Sequence, residues 1–253
     1  VDRGMNPVAA LAIATLAGMA AGFVTGILHT VFEIPSILAG ILTQISLWSI
    51  NLWIMGGSSN IPLLKSKSIV TMVSSATGFN QAQASQVIGI AAAILMVVVM
   101  YWFFGTEQGS ALRATGANQS MARAQGINTN TAKVLGLVVS NGLVALAGGL
   151  LAQYQGSATI DMGRGAIVIG LAAVIIGEVL LDKVFRNFAL KLLSAVIGAI
   201  IYYVVITVVL RLGLESTDLK LLTALVVAVF LAVPYWKGRY FTKPVRKEGA
   251  PHA

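Results

Sequence analysis

The sequence predicts an all-α, polytopic helical membrane protein, with one transmembrane domain over residues 1–253 and about seven spans. Composition predicts this class because 57% of the residues are hydrophobic and 10% are charged, which is too little polar surface to cover a soluble globule. Patterning predicts the spans because the apolar residues form segments of about 20, the length at which a helix crosses the hydrocarbon core.

The charge and the residue types present exclude several functions. The net charge of +8 lies in loops and in the C-terminal tail, which fits basic cytoplasmic loops better than nucleic-acid binding. Without cysteine, and with two separated histidines, we expect no catalytic site and no metal site. A phosphate-binding GxxxxGK[ST] loop does not occur, so this chain is not expected to bind ATP in that way.

The first predicted span, residues 8–28, carries small residues at four-residue spacing. Ala14, Gly18, Gly22 and Gly26 share one helix face, which allows a neighbouring backbone to approach closely. We interpret this face as a packing seam, with the lining of a pathway as the alternative.

The second predicted span, residues 36–56, carries a polar stripe. Gln44, Trp48 and Asn51 fall on one helix face, and amides are costly in a bilayer unless they find a partner or water. We therefore expect the stripe to face inward. The pattern alone leaves open whether it lines a pathway or bonds a neighbouring helix.

Residues 57–85 are polar and contain no predicted span, although a short surface helix is expected from about Ile69. The third span, residues 87–104, has few small or polar residues and ends in an aromatic belt at Tyr101, which indicates contact with lipid.

The longest polar interval is residues 105–133. Glu107 to Thr115 predicts a short helix stopped by Gly116 in the left-handed conformation, and Asn118 predicts the cap of a second helix ending at Gly126. The interval is basic, and two short helices projecting from a membrane would suit docking to another protein. A simple tether between spans is the alternative.

The fourth predicted span, residues 134–153, is the main candidate for a pathway-lining helix. Asn141, Ala145, Gly149 and Gln153 share one face and form a small-residue groove with an amide at each end. A tight helix crossing stabilised by amide hydrogen bonds is the alternative interpretation.

Three further spans are predicted at residues 166–181, 189–210 and 219–236, and Glu178 lies near the end of the first of them. The tail, residues 237–253, is rich in Lys and Arg and is predicted to be cytoplasmic.

Counting spans back from the tail gives a topology. The interval 105–133 falls in the cytoplasm, and both 154–165 and 57–85 fall on the outer side.

Several strings resemble the permeases of ATP-binding cassette importers. Residues 111–118, ALRATGAN, followed by MAR at 121–123 and GIN at 126–128, resemble the cytoplasmic loop of the branched-chain amino acid and ribose permease superfamily. Further similar strings lie at residues 39–42, 49–56, 136–137, 140–146, 152–156, 169–178 and 218–221. Together they are similar to a subgroup of tryptophan/tyrosine-type permeases. The chain lacks an initial segment of the family pattern and does not begin with Met, so we expect the native protein to be longer.

This resemblance implies a type II importer-like fold in a bacterial plasma membrane, without a cofactor on this chain. It implies an ABC ATPase subunit that binds ATP and Mg, an extracytoplasmic substrate-binding lipoprotein, and a second copy or a homologous permease as partners. It also implies that the 105–133 loop holds the coupling helix. The coupling residues carried over are Arg113, Ala114, Thr115, Gly116, Asn118, Met121, Arg123 and Gly126.

The solute implied is a small molecule, with an amino acid favoured and an aromatic one suggested. A sugar or nucleoside permease of the same class remains an alternative. An ion-coupled secondary transporter is a second alternative, but it would call for several intramembrane carboxylates and an inverted repeat.

Overall fold

The computed structural model describes residues 4–63, 67–163, 166–181 and 187–211, together with Leu221, Ala224, Leu225, Ala228 and Ala232. The chain divides into two compact units, residues 1–164 and 165–253. The first unit contains, in order, α1 (Pro7–Thr30), α2 (Ser36–Ile54), β1 (Asn60–Pro62), α3 (Ile69–Thr77), α4 (Gln81–Gly105), α5 (Glu107–Ala117), α6 (Gln119–Ala124), α7 (Thr129–Gln155) and β2 (Ser157–Thr159). The second contains α8 (Ala166–Leu181) and α9 (Phe188–Arg211).

The helices confirm the predicted class. Within the described ranges, five helices are long and apolar enough to span a bilayer, namely α1, α2, α4, α7 and α9. They match five of the predicted spans, and the 16-residue α8 occupies the position of a sixth. The span 219–236 and the tail 237–253 lie outside the described residues apart from isolated positions, so the count of about seven stays a prediction.

The first unit is built on the crossing of α1 and α7. Gly18 of α1 lies against Ala145 and the backbone of Asn141, and Gly22 lies against the backbone of Leu137. A side chain at either position would prevent this approach. The small-residue face of α1 is therefore a packing seam, the first of the two interpretations.

Helix α2 joins this pair through a polar contact. Ala39 and Thr43 are its buried residues, and the Thr25 hydroxyl of α1 donates to Thr43 Oγ1 at 2.8 Å. The Thr43 hydroxyl in turn donates to the Ala39 carbonyl, so both buried hydroxyls are satisfied.

Helix α4 packs little within its unit. Ala84 is its one buried residue in the described chain, and large apolar side chains such as Trp102 are exposed. The small residues that it does carry are not used for a close helix crossing, since nothing lies within 4 Å of a Cβ built on Gly89, and lipid contact is therefore expected for it.

A two-stranded antiparallel ribbon joins distant parts of the first unit. Asn60 pairs with Thr159, and Pro62 pairs with Ser157. Segments 57–63 and 156–160 therefore lie at the same end, in agreement with the topology counted from the sequence. Helix α3 begins at Ile69, as predicted, and Ser68 caps it by accepting a hydrogen bond from the Thr71 amide.

The second unit has its own small core. Ala172, Ile176 and Tyr202 are buried together. Gly177 of α8 lies against the Ser194 backbone of α9, so the two helices are in close contact.

Candidate functional site

Helices α5 and α6 form a hairpin, residues 107–126, at the end of the first unit opposite the ribbon. Asn118 has extended backbone angles, φ −156° and ψ 108°, and its side chain accepts from the Met121 amide at 3.1 Å. It therefore caps α6, as predicted. Helix α6 ends at Ala124, two residues before the predicted end at Gly126, and Gly126 follows with φ +81°, a conformation that favours glycine.

The predicted end of α5 was wrong. Gly116 is a helical residue, and α5 continues to Ala117. The helix stops because Asn118 leaves helical geometry in order to cap α6, so no left-handed glycine is needed at this turn.

The hairpin is fastened to α7 at several points. The Leu112 side chain lies 3.0 Å from the position that a Cβ on Gly136 would occupy, and Arg123 Nε donates to Thr129 Oγ1 at 2.8 Å. Thr115 and Ala122 are 4% and 3% exposed and form the inner face of the hairpin. Thr115, one of the eight predicted coupling residues, is therefore buried in this packing. Its hydroxyl donates to the Ala111 carbonyl.

Much of the remaining surface of the hairpin is exposed in the described chain. Six of the predicted coupling residues are exposed, and Ala114 is half-buried; the exposed ones are Arg113, Gly116, Asn118, Met121, Arg123 and Gly126. Met121 is an apolar side chain with 60% exposure in a polar segment. Along the chain, the Met121 thioether lies between the guanidinium groups of Arg113 and Arg123. This combination suits a partner surface that is partly apolar and partly acidic.

The polar stripe of α2 is exposed in the described chain. Gln44, Trp48 and Asn51 all lie outside the face that packs on α1, and Trp48 is 44% exposed. The expected inward orientation is not met within the first unit, because the smaller Ala39 and Thr43 form the contact with α1. An exposed amide pair on a helix of spanning length needs water or another protein chain beside it.

The candidate residues of α7 lie along its crossing with α1. Ala145 faces Gly18, and the Leu11 side chain lies 2.7 Å from the position of a Cβ on Gly149. Asn141 is half-buried, and its side-chain nitrogen donates to the Leu137 carbonyl of its own helix at 2.9 Å. These contacts belong to a tight helix crossing, the alternative interpretation, and a pathway role for this face stays a prediction.

Gln153 ends this row with an arrangement that the sequence did not predict. Its side chain is 6% exposed, its Oε1 accepts from the Ile69 amide at 2.9 Å, and its Nε2 donates to the Pro7 carbonyl at 3.3 Å. The partners are 84 and 146 residues away along the chain. No local sequence pattern identifies partners at such a separation.

The described residues hold no group of three or more His, Asp or Glu side chains that could bind a metal ion.

Comparison with known proteins gives a family and several relatives. The family model described as "Branched-chain amino acid transport system / permease component" matches residues 1–233. A tyrosine transport system permease protein of Clostridioides difficile is 41% identical over 232 residues, which are 92% of this chain and 75% of that protein. An uncharacterized protein of Rickettsia prowazekii is 31% identical over 225 residues, 88% of this chain and 78% of the relative.

An autoinducer 2 import system permease protein of Yersinia pseudotuberculosis is 28% identical over 244 residues, 94% of this chain and 64% of that protein. No solved structure gives a significant match.

Proposed function

The chain belongs to the family of permease components of branched-chain amino acid transport systems, and from that premise we propose that it is the pore-forming subunit of an ATP-driven importer in a bacterial plasma membrane. Family membership and five apolar helices of spanning length make it an integral membrane protein with a transport role. It is a transport subunit rather than an enzyme.

The observation that carries the proposal is the exposed face of the α5–α6 hairpin. The hairpin is held to α7 by Thr115, Ala122 and the Arg123–Thr129 hydrogen bond, while Arg113 and Met121, and part of the Arg123 side chain, remain on its surface. A separate ATPase subunit, with ATP and Mg bound to it, docks on this face from the cytoplasm. Closure of the ATPase then moves the hairpin and the helix to which it is attached as one rigid body.

The transported solute is an amino acid with an aromatic side chain, delivered by an extracytoplasmic substrate-binding lipoprotein. Support comes from the 41% identity to a protein named for tyrosine transport. Trp48 would stack on the aromatic ring, and the Gln44 and Asn51 amides would exchange hydrogen bonds with the polar groups of the solute. Asn141 is the second candidate contact, on α7.

A second permease subunit completes the pathway, either another copy of this chain or a homologue. The α2 stripe supports this, because its amides are not covered by the first unit and need an aqueous or protein surface opposite them.

A sugar or nucleoside importer of the same class is the second candidate. The Yersinia relative favours keeping it, since that protein is named for import of a different solute. The two candidates differ only in the solute, so one experiment separates them.

The test is uptake by proteoliposomes that contain the permease, its ATPase and its receptor. We expect labelled tyrosine to accumulate only when ATP and receptor are both present, and ribose and adenosine to fail as competitors. Uptake that follows an imposed proton or sodium gradient without ATP would contradict the ATP-driven mechanism. ATP-dependent uptake of ribose or adenosine instead of tyrosine would contradict the solute assignment alone.

A further inference from the structure

The side chain of Gln153 connects three helices at the end of the first unit that carries the ribbon. Its Oε1 accepts from the first amide of α3, at Ile69, and its Nε2 donates to the first carbonyl of α1, at Pro7. This orientation of the amide is fixed, because Ile69 offers an N–H and Pro7 offers only a carbonyl.

Helix α3 contacts α4 along the chain, and the Gln153 bond to Ile69 ties its first turn to α7. None of the α3 residues is buried in the described chain. The first amides of any helix lack partners within the helix, and here Ser68 satisfies Thr71 while Gln153 satisfies Ile69. Gln153 therefore supplies both a cap and an attachment to α7.

Helix α7 connects this attachment to the hairpin. It runs without a break for 27 residues, which corresponds to a length of about 40 Å. At its first turn Thr129 binds Arg123 of the hairpin, and near its last turn Gln153 binds Ile69 of α3. These two bonds connect the hairpin through α7 to the start of α3.

We propose that Gln153 is a positioning residue that passes the movement of α7 to α3, so that α3 shifts when the ATPase closes on the opposite side of the membrane. The inference rests on the proposed function, because it takes the hairpin as the point where that movement enters. It adds a specific residue, a specific hydrogen bond and the element that responds.

The absence of cysteine allows a direct test. Ser75 is an exposed residue of α3, and Ser75→Cys gives one site for a maleimide probe. The permease is purified with its bound ATPase in nanodiscs, and the labelling rate is compared without nucleotide and with ATP plus vanadate. We expect the rate to change between the two states when Gln153 is present.

Two substitutions of Gln153 separate its two hydrogen bonds. Gln153→Met keeps the length of the side chain and removes both bonds, so we expect the nucleotide-dependent change in labelling to fall by about tenfold, the equilibrium effect of losing the one bond that reaches α3. ATP hydrolysis continues. Gln153→Glu retains an acceptor for the Ile69 amide, and we expect it to keep the response.

Gln155→Met is the matched control, because Gln155 is exposed in the last turn of the same helix. It should leave both the labelling response and hydrolysis unchanged.

The outcomes distinguish the inference from the function on which it rests. If no ATPase binds the permease, the proposed function fails. If the ATPase binds and hydrolyses ATP but position 75 does not respond, or responds equally in Gln153→Met, the inference is overturned. If Gln153→Glu assembles and loses the response, the bond to Ile69 is not the one that matters, and the assignment to α3 is wrong. If Gln153→Met does not assemble, the inference is judged on whether position 75 responds to nucleotide and whether Gln153→Glu keeps that response, and failure of either overturns it.

Discussion

Gly22 is a residue at which the crossing of α1 and α7 leaves no room for a methyl group. A Cβ there would overlap the Leu137 carbonyl and lie 2.9 Å from the Val138 Cα, and these are backbone atoms that cannot rotate away. We expect Gly22→Ala to destabilise the protein by about 1–3 kcal/mol, as overpacking does in a dense interior. Thermal unfolding of the purified protein in detergent would measure the loss.

Gly40→Ala is the control for this prediction. Gly40 lies in the spanning helix α2, and no heavy atom falls within 4 Å of its would-be Cβ. Alanine forms helix better than glycine by about 1 kcal/mol, so the unfolding temperature of Gly40→Ala should equal or exceed that of the parent protein. Equal unfolding temperatures for both variants would show that α1 and α7 do not approach as closely as the structure has them.

Trp48 and Trp53 form a matched pair for testing the α2 stripe. Trp48 lies on the polar stripe with Gln44 and Asn51, whereas Trp53 is 88% exposed and lies outside the stripe. If the stripe contacts solute, Trp48→Leu should lower uptake per assembled complex by about tenfold through the lost aromatic contact, and Trp53→Leu should lower it little. Initial uptake rates normalised to the amount of complex provide the measurement. A similar loss in both variants would remove the stripe from the pathway.

Residue-level predictions from sequence succeeded where the signal is local. Asn118 caps α6 as predicted because a cap needs only its immediate neighbours, and α6 ends at Ala124, two residues before the predicted Gly126. Gly116 was assigned wrongly because two chain breaks were possible within three residues, a left-handed Gly116 or an extended Asn118. The structure has the second, and α5 continues to Ala117. The partners of Gln153 could not be predicted, since they depend on how distant segments fold together.

The α5–α6 hairpin is the element whose role is most directly testable. Met121 is 60% exposed on it, and replacing the thioether with an amide leaves the Asn118 cap and the packed Ala122 intact. We expect Met121→Gln to weaken retention of the ATPase subunit by about tenfold, since an apolar side chain no longer fills the partner's surface. Co-purification of the two subunits at defined concentrations would measure this.

Met72→Gln is the comparison, because Met72 is also exposed, at 42%, but lies on α3 at the other end of the unit. Its retention of the ATPase should equal that of the parent protein. Equal retention by all three proteins would count against docking through Met121.

Element boundaries show what hydropathy can predict. Helix α1 matches its predicted range closely, because its apolar run and its helix coincide. Helix α4 begins at Gln81, earlier than its predicted start at residue 87, because its first turns are polar and Asn80 caps them outside the apolar run. The ribbon was not predicted, since three-residue strands carry no periodic pattern.

At the scale of the whole molecule, the first unit has two distinct ends. The ribbon, α3 and the end of α7 lie together at one end, and the α5–α6 hairpin lies where α4 ends and α7 begins, at the other. Counting spans from the sequence gave the same division. Hydropathy could predict this division because each membrane span carries the chain to the other side of the bilayer. The side on which a loop lies therefore follows from the number of spans before it, without any knowledge of helix packing.

The division into sides can be tested with one cysteine at a time, because the chain contains none. Ser58 lies beside the ribbon and Ser120 lies in the hairpin, and both are exposed. A membrane-impermeant maleimide should label Ser58→Cys in intact cells and Ser120→Cys only after permeabilisation, since the reagent cannot cross the bilayer. The parent protein should remain unlabelled throughout.

Labelling of both variants from the same side would contradict the arrangement of α4 and α7 in the structure. The reverse pattern would leave that arrangement intact but would place the hairpin where no cytoplasmic ATPase can reach it, and the proposed function would then fail.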